Sequence, residues 1–441
     1  MKTKTSGTAP GAGGPEFWTP ADEVARQGTG ETLRPSAFLA APPKILLYSH
    51  DTFGLGNIRR TILLSEELIT QYPGASILIV TGSPMIHAFR IPKGIDYIKL
   101  PCLYRVDVGR YAARFLVECT AEVKVTRSAI LRESVLGFDP DLMIVDKSPA
   151  GVDGELLEAL VTLRQQQRRT TLVLGVRDIL DEPERTRRIL RSNGSFETID
   201  RFYDEVWIYG QQSIFDMVAE YAFPESVASK TKFCGYLKRP ISKSSCNGGP
   251  PHILVTTGGG DDGSNIIEAY LAGLCGLPRS TTLRTTVVFG PQMLAARRTE
   301  LLERFGYLAD VTFLEFEPDL AKHYAESNVV VSQAGYNTVC ELLSFSRRAI
   351  LIPRAEPVCE QLIRARLLAA RGYFDILEPQ DLTPDVLISK VLTALQPGPF
   401  ALVPPDLDGL LRVRERVRAL LREKGLTRRC ASSSGSADAN A

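Results

Sequence analysis

The residues from Val329 to Gln361, VVVSQAGYNTVCELLSFSRRAILIPRAEPVCEQ, hold the densest chemistry in the chain. An apolar run, Val329 to Val331, leads through Ala334 and Gly335 into a helical stretch opened by Asn337 and Thr338 and carrying Glu341. A second apolar run, Ala349 to Ile352, is followed by a loop that delivers the adjacent pair Glu360 and Gln361. Strand, glycine turn and helix start together hold phosphate in parallel α/β sheets, because the helix end offers free N–H groups and partial positive charge. A carboxylate at Glu341 can accept both hydroxyls of a ribose, and Glu360 and Gln361 can bond further sugar hydroxyls. A structural reading competes: Glu341 favourably placed on the helix macrodipole, Gln361 merely solvated.

Two more glycine turns follow apolar runs. In TTGGGDDGS, Gly258, Gly259, Gly260 and Gly263 can turn N–H groups toward phosphate oxygens. No G-K-[ST] follows, so the loop is not that of an ATP-cleaving P-loop. In HDTFGLGN, Gly54 and Gly56 allow close approach of a ligand, with His50, Asp51 and Asn57 beside them. The third glycine of a dinucleotide fingerprint is missing there. Asp139 and Asp141 form a D-x-D, but FDPDLMIVD reads as a turn into a buried strand rather than a metal site.

These turns need elements to hold them, and the patterning supplies two series. KILLYS, SILIVT, DYIKL, LMIVD, TLVLGV, EVWIYG and KFCGY alternate with helical stretches at 58–72, 111–135 and 154–168; HILVT, TTVVFG, VTFLEF, NVVVS and AILIPR form the second series. Such alternation predicts an α/β protein of two Rossmann-like, doubly wound parallel domains facing a cleft. The expected spans are 1–43 as a disordered tail, 44–241, a linker at 242–250, 251–405, an amphipathic helix at 406–427 that can cross back to brace the first domain, and a tail at 428–441. The 441 residues, 44% hydrophobic, suffice for two cores. With 52 basic against 51 acidic residues, composition offers nothing to attract nucleic acid. Eight scattered cysteines and four histidines suggest neither zinc nor disulfides. No apolar run reaches the roughly 20 residues of a membrane span, so a cytoplasmic protein is expected.

On the motifs quoted, the second half resembles glycosyltransferase family 28, whose enzymes have the GT-B fold; the likeness runs from Lys44 to Leu421 and is weaker in the first half. It implies that Gly335, Thr338 and Glu341 occupy the nucleotide-binding S-G-x-x-T-x-x-E positions, with Glu341 on the ribose. It places Phe316 and Glu317 in the loop that contacts uracil, Gly258, Gly259, Gly260 and Gly263 in the glycine-rich loop, and Glu360 and Gln361 where the family has a Gln-Gln pair. Asn57 stands where the family has histidine, and an amide cannot act as a base; His50 is then the nearest candidate and Asp51 the second. The implied activity is transfer of a hexose from a nucleoside diphosphate sugar, UDP-linked, to an unidentified acceptor, with no cofactor and no obligatory metal. A UDP-sugar epimerase of the same fold and a silent sugar-nucleotide sensor are the alternatives. Basic helix faces bearing Arg110, Arg114, Lys124, Arg127 and Arg132 suggest peripheral contact with an anionic membrane or a phosphorylated acceptor.

Overall fold

The computed structural model describes residues 42–50, 55–107, 110–239, 249–260, 262–278, 280–396 and 405–423. Asp51, Gly54, nearly all of the expected 1–43 and 242–250 spans, and the 428–441 span lie outside the described residues.

The strands are β1 (Lys44–Ser49), β2 (Ser76–Thr81), β3 (Ile95–Lys99), β4 (Leu103–Asp107), β5 (Arg110–Ala113), β6 (Leu142–Asp146), β7 (Thr171–Arg177), β8 (Glu205–Tyr209) and β9 (Thr231–Phe233). The second series is β10 (His252–Thr256), β11 (Arg284–Val288), β12 (Val311–Leu314), β13 (Val329–Ser332), β14 (Arg348–Leu351) and β15 (Asp375–Ile376). One sheet has the order β3-β2-β1-β6-β7-β8-β9 and the other β12-β11-β10-β13-β14-β15, each parallel throughout. Ile45 to Tyr48 are at most 1% exposed, as a strand must be when helices cover both faces of its sheet; that is why the strands read as unbroken apolar runs. In each sheet the chain winds outward on one side of its first strand and returns on the other. This creates a switch point between β1 and β6, and another between β10 and β13, where ligands bind in such sheets.

One expected element is replaced. The helix read over 111–135 begins only at Thr120 and runs to Phe138, because Leu103–Asp107 and Arg110–Ala113 pair as the antiparallel strands β4 and β5, with Leu103 opposite Ala113 and both buried. The proposed basic helix face therefore does not exist as a unit. Arg110 lies in a strand, Arg127 is buried and bonded to Glu155 at 2.6 Å, and Lys124 and Arg132 pair with Asp153 and Glu158 at 2.5 Å. The D-x-D pair is structural: Asp141 accepts from the Lys44 backbone N–H at 2.8 Å and Asp139 pairs with Arg168 at 2.7 Å.

The last helix, Gly409–Glu423, does cross back. Val413, Val417, Leu420 and Leu421 are buried, and Arg414 reaches Glu67 of the first helix, Gly56–Gln71, at 3.5 Å. Just before it, the Asp406 carbonyl accepts from the Tyr236 N–H at 2.8 Å.

Candidate active site

Both switch points face one another. From β1 the chain passes His50 into the helix Gly56–Gln71, and from β6 it passes Asp146 and Lys147. Arg60, 2% exposed, donates to Asp146 Oδ1 at 2.9 Å and to Asn57 Oδ1 at 3.0 Å, while the Asn57 amide donates to the His50 carbonyl. Asn57 thus has its carboxamide engaged at both ends and orients the turn. His50 is buried, meets the Tyr111 ring edge-on at 6.4 Å, and neither ring nitrogen finds a partner among the described residues. Burial, followed by the charges of Lys147, Arg127, Arg60 and Arg177, holds its pKa well below the ordinary 6.5.

In the second domain Gly335 opens the helix Tyr336–Phe345, which carries Asn337, Thr338 and Glu341. Asn337 donates to the Gly56 carbonyl of the first domain at 2.8 Å. Glu341, 4% exposed, binds Arg59 of the first helix and stands 3.9 Å from Arg239; its Oε2 has no hydrogen-bond partner among the described residues. Glu341 and Glu317 line one cleft of about 740 Å³, together with Arg59, Arg90 and Arg239. Phe316 is half-buried next to Glu317. Among the glycines of the second loop, Gly258 has a φ of +64° and open space where a side chain would stand. Gly260 is packed instead: a Cβ would come within 2.3 Å of the Phe289 carbonyl, and Gly259 and Gly263 are similarly confined by Gln292 and Thr257. Of the four, only Gly258 has open space on the side where a side chain would stand, and its N–H lies 3.4 Å from Thr256 Oγ1.

Glu360 and Gln361 are not delivered by a loop; they are the first residues of the helix Glu360–Ala369. Gln361 accepts from the Arg354 N–H at 3.2 Å. Glu360 is 3% exposed and ringed by Arg364 at 2.9 Å and by Arg177 and Arg354 at 3.4 Å. Burial alone would raise its pKa, but Arg177 and Arg364 more than offset that and hold it below the usual carboxylate value. Arg364 also spans the domains, donating to Asp178 at 2.7 Å, and Arg60 and Arg364 both lie near the Tyr336 ring at 5.6 and 5.9 Å. Sequence reasoning missed Arg364, Asp178, Arg177 and Lys147. The one local signal was Arg364 one helical turn after Glu360.

This architecture is the GT-B fold. The Acinetobacter baumannii MurG structure superposes with a TM-score of 0.52 over 86% of this chain and all of that one, at 15% identity. A putative UDP-N-acetylglucosamine 2-epimerase from Listeria monocytogenes gives 0.57 over 87% and 98%, at 14% identity. Residues 252–403 match the glycosyltransferase family 28 C-terminal domain, so the second domain is similar to the family domain expected from the motifs. Over 156 residues the chain is 34% identical to the UDP-N-acetylglucosamine–N-acetylmuramyl-(pentapeptide) pyrophosphoryl-undecaprenol N-acetylglucosamine transferase of Syntrophotalea carbinolica, a match covering 35% of this chain and 42% of that enzyme. The chain spans about two fifths of the length of the curated relatives it matches.

Proposed function

We propose that the protein is a glycosyltransferase that moves a hexose from a nucleoside diphosphate sugar, UDP-linked, to an acceptor held by the first domain. The observation carrying this reading is that Glu317 and Glu341, both inside the segment that matches family 28, line one cleft closed on its other side by the first helix of the N-terminal domain. The nucleotide would lie there, with the ribose on the unpartnered Glu341 oxygen. Charge developing on the diphosphate would fall to the backbone at Gly258 and to the N–H groups at the start of the Tyr336–Phe345 helix. His50 would take the acceptor proton in this reading: burial favours its neutral form, and its ring nitrogens have no partner among the described residues. Calorimetry against UDP, GDP, dTDP and ADP, followed by donor hydrolysis assays, tests the reading. Slow release of free sugar supports a transferase, an isomerised sugar still on its nucleotide identifies an epimerase, and binding without turnover identifies a sensor.

Because its pKa is depressed, His50 stays in the base form as pH falls through 6.5. The acid limb of kcat/KM is therefore expected below the usual histidine value, and His50→Ala should slow transfer by about 10²–10⁴-fold with nucleotide binding intact. Equal rates in variant and wild type would remove His50 from the reaction.

Peripheral membrane contact is retained, but on a different surface from the basic helix face. Among the described residues, no helix is long and apolar enough to cross a membrane. Val106, Phe115, Leu116, Val117 and Val125 nonetheless lie 53–70% exposed in one segment, with Arg114 over the Phe115 ring at 5.8 Å and Arg110 exposed nearby. Arginines beside bare apolar side chains suit an anionic bilayer surface. A Phe115→Ser, Leu116→Ser variant should lose about tenfold or more in cosedimentation with phosphatidylglycerol vesicles. Unchanged sedimentation would rule the patch out.

A further inference from the structure

At the β1–β6 switch point Arg177, Arg105 and Arg60 surround Lys147, with Asp146 the carboxylate acting against them. Lys147 follows β6 at the switch point with a φ of +70°, a left-handed conformation rare for a side-chain-bearing residue, and its N–H is held by the Gly175 carbonyl at 2.8 Å. Its neighbour Asp146 is already bound by Arg60, and among the described residues no carboxylate pairs with the Lys147 ammonium. Arg177, at the end of the adjacent strand β7, shares Glu360 with Arg364 and Arg354. Arg105 from β4 and Arg60 from the first helix add like charge. The same corner holds two buried side chains with polar atoms that have no partner among the described residues, His50 at 3% exposure and Asp146, through Oδ2, at 6%. The left-handed backbone, an ammonium without a paired carboxylate and the His50 ring nitrogens left without a partner among the described residues favour an anion here, while the free Asp146 oxygen opposes one.

We propose that Lys147, supported by Arg177, is a phosphate-binding subsite at the β1–β6 switch point of the first domain, beyond the residues that line the 740 Å³ cleft, its ammonium neutralising a phosphate group of the bound ligand. Lysine serves such a site as a compact point charge. The phosphate belongs either to the donor's diphosphate or to an anionic acceptor, and the inference rests on the glycosyltransferase reading only for that identity. Burial and then the like charge of Arg177 bring the Lys147 pKa down to about 8, with Arg105 and Arg60 acting in the same sense and Asp146 against them. The ammonium, and with it the anion site, is lost as pH rises through that value. An ordinary lysine would keep its charge to about pH 10.

Calorimetry on the full chain tests this with uridine, UDP, and inorganic pyrophosphate added with and without saturating UDP. Lys147→Met should weaken pyrophosphate binding about tenfold or more while uridine binding holds, and Lys147→Arg should restore most of it. A parallel loss for UDP assigns the subsite to the donor; loss of pyrophosphate binding over saturating UDP, with UDP itself unaffected, assigns it to the acceptor. Wild-type binding should fall above about pH 8, whereas Lys147→Arg should keep it, since arginine does not titrate there. Unchanged pyrophosphate and UDP binding by Lys147→Met overturns the proposal, as does an equal loss for uridine, because charge would then not be what Lys147 supplies. Lys147-dependent pyrophosphate binding in a protein that ignores every nucleotide would leave the subsite standing and remove the transferase reading.

Discussion

Arg364→Met is expected to destabilise the folded protein by about 3–5 kcal/mol, the cost of removing one partner from a buried charge cluster. Arg364 is fully buried and donates to Asp178 through Nε and Nη2, and to the Ala334 carbonyl and Glu360 through Nη1, both at 2.9 Å. It therefore ties the Glu360–Ala369 helix to the turn before Gly335 and to the first domain in one stroke. Methionine fills much of the volume but takes from Asp178, 3% exposed, the guanidinium that binds both its oxygens, and from Glu360, 3% exposed, one of its three arginines. The cluster also fixes the pH dependence. Glu360, held below its ordinary pKa, contributes stability that is present above its unfolded value and lost as pH falls through the folded one. Without Arg364 part of that contribution is lost, Arg177 and Arg354 remaining, so the gap between variant and wild type should be widest near neutrality and narrow toward acid pH. Thermal and urea unfolding at pH 7 and pH 4 measure it. A loss below about 1 kcal/mol at pH 7 would mean that water or neighbouring arginines replace Arg364 readily.

Arg364 also shows where sequence reading stops. Its link to Glu360 is four residues long and follows from helical spacing, but its link to Asp178 spans 186 residues. Arg59 to Glu341 spans 282 and Asn337 to Gly56 spans 281. Such pairings are set by how two domains meet, and no periodicity within a segment encodes that. The parallel strands were legible because burial on both faces demands continuous apolar residues. The β4–β5 pair was not, since its few residues mix Arg105 and Asp107 with Val106 and Tyr111 and imitate one polar helix face. Motif residues were legible as a set, yet their partners changed their meaning: Glu360 proves to be held by three arginines, and Gly259, Gly260 and Gly263 are glycines for packing reasons.

The sharpest functional prediction concerns Glu341, whose replacement by alanine should weaken UDP binding by about 1–3 kcal/mol, roughly 5- to 150-fold in Kd. The effect has two opposing parts. Alanine removes the acceptor for the ribose hydroxyls, but it also releases Arg59, which occupies Glu341 Oε1 across the cleft. Arg59 holds Oε1 and leaves Oε2 to the ribose, so Arg59→Ala, which frees the second oxygen, should leave UDP binding unchanged or strengthen it. The two single variants thus move affinity in different directions although both break the same ion pair. If instead Glu341 serves only to latch the domains together, the two variants should be equivalent: each would open the cleft, each would lower the unfolding temperature, and each would change UDP affinity alike. Calorimetric titration of wild type, Glu341→Ala, Glu341→Gln and Arg59→Ala with UDP separates the cases. Glutamine, which keeps one acceptor oxygen, should fall between glutamate and alanine. Matching losses in Glu341→Ala and Arg59→Ala would assign the carboxylate to the interdomain contact and take it away from the ribose.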